Sequence, residues 1–220
     1  MEKKGTTSDN GFLEHHRIVE SLQADVASGM LKPGQRLVES HLCERFGTKR
    51  TRIREVLRQL ERDGFVRIIP NVGATVAPLT QKEIEHTYDL LGVLEGLAVR
   101  VITPFVSAQQ LERLEVLVNT MEVTDTPLLF LEYNHEFHFV LTSLSENDRL
   151  IKFTDILRRN QKRYATHSFL SPGQIQESRI DHRKILQAMK QGRSVEAERL
   201  MRSHLLRAKN RLIKYMNKSL

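Results

Sequence analysis

Three histidines and one asparagine lie far apart in the chain but share a feature of spacing. Asn134 and His138 stand four residues apart, and both interrupt the apolar series Phe130, Tyr133, Phe137, Leu141. His182 aligns at helical spacing with Ile185, Leu186 and Met189, and His204 aligns with Ala197, Leu200, Met201 and Ala208. Helical periodicity therefore turns three imidazoles and an amide toward an interior from three separate segments. One such histidine alone reads as a core residue bonded to a carbonyl or a water. Three are costly to bury without partners, whereas one divalent cation would satisfy them together. The i, i+4 pair suits a single ion, because both side chains rise from one helical face a turn apart. Two chemistries are open to such a centre: sensing, with the ion alone or with a ligand as the signal, and the metal-assisted hydrolysis that an open zinc position supports. Glu136 falls off the face of His138, so no general base is evident on that segment.

A second cluster is cationic. The stretch TKRTRIREVL, Thr48 to Leu57, holds Lys49, Arg50, Arg52 and Arg54, with Arg58 just beyond it. Ile53, Val56, Leu57 and Leu60 follow the i, i+3, i+4, i+7 rule of an amphipathic helix, which leaves Thr51, Arg58 and Arg62 opposite the buried face and Arg54 on its flank. Lys49 and Arg50 fall at the helix start, where backbone N–H groups and the dipole favour phosphate. A basic helix face is commonly just solvated; the elements around this one point elsewhere.

The net charge of +7 hides a segregation of sign. Residues 45–67 carry eight Lys/Arg against three Asp/Glu, residues 80–148 three against twelve, and residues 149–220 eighteen against five. The acidic middle and the basic tail can neutralise each other inside one helical domain, while the basic excess near the front has no such neighbour and is suited to an external polyanion. No apolar run approaches the roughly 20 residues of a bilayer span, and MEKKGTTSDN lacks the apolar core of a signal peptide. A cytoplasmic protein is expected. The single cysteine, Cys43, cannot close an internal disulfide.

The positioning elements are almost all helical. Residues 1–10 read as a disordered leader. Residues 12–28 read as a helix with Leu13, Ile18, Leu22 and Val26 inward, stopped by Gly29. "LKPGQRL" reads as a turn, residues 39–46 as a short helix closed by Gly47, and Arg50–Asp63 as a longer helix stopped by Gly64. "FVRIIP" and "GATVAPL" read as a two-stranded hairpin. Helix, turn, short helix, helix, hairpin is the order of a winged helix-turn-helix, spanning residues 11–79, and it places the cationic helix where such a motif enters a major groove. From residue 80 to 220 the spacing predicts an antiparallel all-α bundle of about six helices, near 81–103, 107–122, 127–145, 149–168, 173–191 and 194–217.

"LKPGQRLVESHLCERFGTKRTRIREVLRQLERDGFVRIIPNVGATV" resembles the DNA-binding domain of the GntR family of bacterial transcription regulators. The resemblance implies that Arg50, Thr51, Arg54 and the wing residue Gly73 meet DNA, with Arg36 in the turn as a further candidate. Lys49 stands where that family commonly has Ser and Arg52 where it has Pro, and both add charge. Residues 80–220 resemble the FCD ligand-binding domain of the FadR-type branch, on "YDLLGVLEGLAVRVI", "NHEFHFVL" and "DHRKILQAMKQGRSVEAERLMRSHL". Members with this set bind a divalent metal, zinc or nickel being the best fits, through one Asp and three His. Here the positions are Asn134, His138, His182 and His204, so an amide carbonyl replaces the carboxylate and one negative charge is missing. Leu91 stands where many relatives have an Arg near the pocket. Asn160 and Tyr164, on the side of Phe153 and Leu157, are the residues left to hold the rest of an effector, and Glu95 reads as structural. The implied function is that of a homodimeric, non-enzymatic regulator, a repressor by the family's commoner habit. It would bind a pseudo-palindromic operator and respond to a small carboxylic acid or similar anion. A metal-dependent hydrolase with a DNA-binding head and a pure metal sensor are the alternatives.

Overall fold

The computed structural model describes residues 7–78, 80–169 and 173–219, and the chain divides into two compact units, Met1–Leu79 and Thr80–Leu220. In the first unit the order is α1 (Thr7–Ala27), β1 (Arg36–Leu37), α2 (Glu39–Phe46), α3 (Arg50–Arg62), β2 (Val66–Ile69) and β3 (Gly73–Val76). Helix α1 begins at Thr7, so residues 7–10 of the expected leader are helical, and residues 1–6 lie outside the described residues.

The spacing in α3 does what it predicts: Ile53, Val56, Leu57 and Leu60 are all buried. They pack with Ile18, Val19 and Leu22 of α1, Leu42 of α2, and Phe65 and Val76 of the wing. Leu13 does not join them and is 65% exposed. The inward face of α1 starts one turn later, where Ile18, Val19 and Leu22 share a side. Gly47 stops α2 with φ of +63°, a left-handed conformation that releases the chain toward α3. The hairpin gains a third strand that the turn-like composition of "LKPGQRL" concealed. Antiparallel pairing of Arg36 with Thr75 and Leu37 with Ala74 gives the strand order β1-β3-β2.

The second unit is six helices: α4 (Gln81–Ile102), α5 (Ala108–Val123), α6 (Pro127–Ser143), α7 (Asp148–Phe169), α8 (Gln174–Lys190) and α9 (Ser194–Ser219). Local chemistry sets several starts. Thr80 with Glu83 and Ser107 with Gln110 form reciprocal capping boxes, and Pro127 occupies the first turn of α6. Helices distant in sequence run antiparallel against each other. Helix α4 packs most extensively on α9, with Asp89 bonded to Lys209 at one end and Arg100 to Glu198 at the other. Helix α8 packs on α5 through Arg179 on the Met121 and Thr124 carbonyls, Arg183 on Glu122 and Lys190 on Glu115. These bridges join the acidic middle to the basic tail, which is why the charge of each segment is tolerable.

Candidate metal centre and nucleic-acid interface

Helix α6 carries Asn134 and His138 on one face because they are one turn apart, and both are buried, as are their neighbours Phe130, Phe137 and Leu141. Helix α8 brings His182 inward with Ile185, Leu186 and Met189, and α9 brings His204 inward beside Met201 and Ala208. The three rings meet. Their centroids lie 5.2 Å (His138 to His182), 4.7 Å (His182 to His204) and 5.4 Å (His138 to His204) apart. One nitrogen from each ring lies within 4.8 Å of the other two.

Burial keeps His138 and His182 in the form that ligates a metal. Burial, reinforced by Arg158, pushes the His138 imidazole down to about 3, against the pull of Glu95. Burial, followed by the neighbouring His204 and His138, pushes His182 well below the ordinary range. Both are therefore neutral imidazoles at physiological pH. His182 is fully buried against the Phe137 ring, and neither of its nitrogens finds a hydrogen-bond partner among the described residues. A buried ring with both nitrogens unsatisfied costs stability unless something enters to accept its lone pair. The donor set is all nitrogen from histidine, with an amide oxygen one turn away on α6, and it fits a divalent transition ion.

Two carboxylates stand behind the rings. Glu95 of α4 places Oε2 2.7 Å from His138 Nδ1, and Arg158 of α7 clamps the same carboxylate through Nε and Nη2, both at 2.6 Å. Burial alone would raise the Glu95 carboxyl, but Arg158 and then His138 outweigh it and hold it at about 2. Asp181 of α8 places Oδ2 3.2 Å from His204 Nδ1 and accepts Arg207 Nη2 at 2.6 Å. Glu95 reads from sequence as a structural residue, yet it lies against the centre. Arg158, Asp181 and Arg207 are absent from the sequence-based expectation altogether. Charged positions inside apolar stripes were the available signal: Glu95 falls among Tyr88, Leu91, Ala98 and Ile102, all buried.

The face that α7 turns inward differs from the expected one. The buried residues of α7 include Leu150, Thr154 and Arg158, whereas Phe153, expected to mark the inward side, is 56% exposed. The buried Glu95 carboxylate draws the guanidinium of Arg158 inward and sets that rotation. Asn160 is half-buried with its Oδ1 enclosed and without a hydrogen-bond partner among the described residues, and the Tyr164 side chain lies outside the described residues. Glu136 is bonded to Arg113 at 2.8 Å and serves the α5 to α6 contact, so the carboxylate closest in sequence to His138 is engaged elsewhere.

In the first unit, Lys49 precedes α3, and Arg50, Thr51 and Arg54 are exposed along its first two turns, with no acidic residue in the first turn to offset the dipole. Arg36 is exposed on β1, and Gly73 opens β3 with φ of +96°. Arg54 Nε lies 3.0 Å from both carboxylate oxygens of Glu39 on α2, which raises the Arg54 pKa. Arg52 differs from its neighbours. It bonds Glu55 at 2.7 Å and reaches toward Glu14 of α1 at 3.9 Å, so its charge is spent inside the unit.

Comparison with known proteins agrees with both halves. Residues 15–76 match the model of the bacterial regulatory proteins of the gntR family, and residues 86–207 match the FCD domain. The chain is 32% identical over 135 residues to the uncharacterized HTH-type transcriptional regulator YdhC of Bacillus subtilis, a match spanning 59% of each chain. It is 28% identical over 217 residues to the Uxu operon regulator of Haemophilus influenzae, covering 89% of this chain and 80% of that one. The solved structure of E. coli McbR/YncC superposes with a TM-score of 0.73 at 19% identity, over 91% of this chain and 97% of that one, a likeness of fold. No helix among the described residues is long and apolar enough to cross a membrane. The chain belongs to the GntR family of bacterial regulatory proteins, joining that family's helix-turn-helix domain to an FCD domain.

Proposed function

We propose that this protein is a cytoplasmic, homodimeric repressor whose grip on a pseudo-palindromic operator is set by a small carboxylic acid or similar anion bound beside a divalent metal, zinc or nickel, in the FCD domain. The observation that carries the reading is His182, a buried imidazole with two unsatisfied nitrogens facing two other buried imidazoles. His138, His182 and His204 would hold the ion, with the Asn134 carbonyl completing the protein's share. When bound, the ion supplies a positive centre for an anion. Because Asn134 brings no charge, this ligand set leaves the full ionic charge to be offset by an incoming anion, which ties occupancy to the effector.

The chain's own residues account for the remainder. Arg158 is the buried cation that acts on both His138 and His182. Asn160 Oδ1, enclosed and without a hydrogen-bond partner among the described residues, would receive a hydroxyl or acid proton from the effector, with Tyr164 one turn on. On the DNA side, Arg36, Lys49, Arg50, Thr51 and Arg54 and the wing at Gly73 engage the duplex, α3 entering the major groove. A second copy is supported by α4, whose Leu90, Val93, Leu97 and Val101 form an exposed apolar stripe at heptad-like spacing. The effector acts only through its unequal affinity for the two spacings of the DNA-binding heads. The repressor role accords with RspR of Escherichia coli, named a transcriptional repressor and 22% identical over 200 residues.

The test measures metal by elemental analysis in the wild type and in His182→Ala, together with operator retention as carboxylic acids are titrated in with and without chelator. Loss of metal in the variant and chelator-sensitive release of DNA are expected. Equal metal content in the two proteins would dismiss the centre. A response that follows metal alone would make the protein a metal sensor.

A further inference from the structure

A neutral imidazole carries one N–H, and the hydrogen bond made by that N–H decides which nitrogen offers its lone pair. The surroundings of the three rings are unequal in this respect. His138 and His204 each present Nδ1 to a carboxylate, Glu95 at 2.7 Å and Asp181 at 3.2 Å. Among the described residues His182 has neither carboxylate nor any other hydrogen-bond partner on either nitrogen.

We propose that Glu95 and Asp181 are positioning residues for the histidine centre: each carboxylate receives the Nδ1–H of one imidazole, so that Nε2 of His138 and of His204 faces the shared space, while His182 enters without an anchor. The proposal rests on the metal reading above.

The carboxylates are themselves held in the outer position. An unrestrained carboxylate so close to a cation would be drawn onto it, but both oxygens of Glu95 are engaged by Arg158, whose Nη1 is in turn tied to Gln161 at 2.7 Å. Asp181 is held by Arg207 through Nε at 3.2 Å and Nη2 at 2.6 Å. Four helices are thus recruited behind two ligands: α4 and α7 behind His138, and α8 and α9 behind His204. The Glu95 contact is short but lies off the direction of a good hydrogen bond. Bringing the N–H onto the oxygen requires a small turn of the His138 ring about its soft terminal torsion. The two arms also differ in dryness. Glu95 and Arg158 are buried, whereas the Arg207 side chain is 44% exposed, so water can replace part of the second arm and not of the first.

A purely structural role for these ion pairs would show in stability and nowhere else. The discriminating experiment therefore combines three readouts on the full chain: imidazole nitrogen NMR of the metal-free wild type, zinc affinity by competition with a chelator, and the melting temperature of the metal-free protein. Nδ1–H tautomers are expected for His138 and His204. Glu95→Gln should weaken zinc binding by about 100-fold and Asp181→Asn by about 10-fold, the two ends of the usual range for outer carboxylates. Glu95→Asp should recover part of the loss. An Nε2–H tautomer at both rings, or zinc affinities within twofold of wild type in variants that merely melt earlier, would overturn the proposal. Should Glu95→Gln fail to fold, the wild-type spectra and Asp181→Asn still decide it. Should the wild type bind no zinc at all, the metal reading itself fails, and the tautomers of the metal-free protein answer the positioning question separately.

Discussion

Arg54 with Glu39 and Arg158 with Glu95 are the same two kinds of side chain in opposite surroundings. The first pair lies on the surface of the DNA-binding unit, with Nε 3.0 Å from each carboxylate oxygen. The second is sealed inside the FCD domain at 2.6 Å on both arms. Water competes with the first pair at every moment, so the guanidinium can be handed to a phosphate or a base edge at small cost. No water reaches the second, and separating it would strand a charge in the interior. The contrast teaches that an Arg–Glu bridge can be an exchangeable holder in one domain and a fixed support in the other. Burial decides which.

The largest expected effect breaks the fixed support. Glu95→Ala leaves the Arg158 guanidinium buried without its partner and should cost about 3–5 kcal/mol of stability, measured by denaturant unfolding of the metal-free protein. A loss no greater than that of an average surface substitution would mean that Arg158 swings out to solvent.

Next in size is the response to acid. The folded-state pKa values of His138 and His182 lie below the unfolded value of 6.5. Below that value the unfolded chain gains protons that the folded chain refuses. Stability is therefore complete well above pH 6.5 and falls as pH drops beneath it, with a slope approaching about 3 kcal/mol per pH unit when both rings contribute. Glu95, held at about 2 against 4.5 when unfolded, adds a second loss as pH falls from 4.5 toward 2. Melting temperatures across pH 4 to 8 test the sign; a metal-free protein that grows more stable between pH 6.5 and 5 would contradict it.

These two regions were also unequally legible in the sequence. The face of α3 follows from periodicity, because one apolar stripe at Ile53, Val56, Leu57 and Leu60 fixes where every other side chain of that helix points. The inward turn of His138, His182 and His204 follows from the same reasoning. Glu95 beside His138 and Asp181 beside His204 did not, since they depend on which helices become neighbours, and α4 finds its main partner in α9 at the far end of the chain. The rotation of α7 escapes periodicity for a related reason. Phe153 is apolar and Arg158 charged, but a buried carboxylate on another helix reverses their ordinary placement. Arg52 shows the converse, a cation in a basic run that local neighbours on α1 and α3 have already taken.

On the exchangeable side, Arg54→Ala should weaken operator binding by about 10-fold to 100-fold, if the residue makes a base or bidentate contact, and relax specificity at the base pair concerned. Arg52→Ala should change the operator affinity far less, because that charge is engaged with Glu55 and near Glu14. Gel-shift titrations with operator and scrambled duplexes compare the two directly. Equal losses would place both arginines at the phosphate backbone and erase the distinction drawn between them.

The smallest effect sharpens the comparison most, since it separates holding from stabilising. Glu39→Gln removes the charge that pins Arg54 and also removes a carboxylate from a surface meant for phosphates. As a screened surface pair, it should leave the melting temperature within about 2 °C of wild type. Its effects on DNA binding oppose each other. Binding to non-specific duplex should tighten slightly as one negative charge leaves, while binding to the operator should weaken as Arg54 loses its preset direction. The ratio of specific to non-specific affinity should therefore fall by several-fold with hardly any change in fold stability. An unchanged ratio would mean that Arg54 finds its base without help and that Glu39 serves only the packing of α2 on α3.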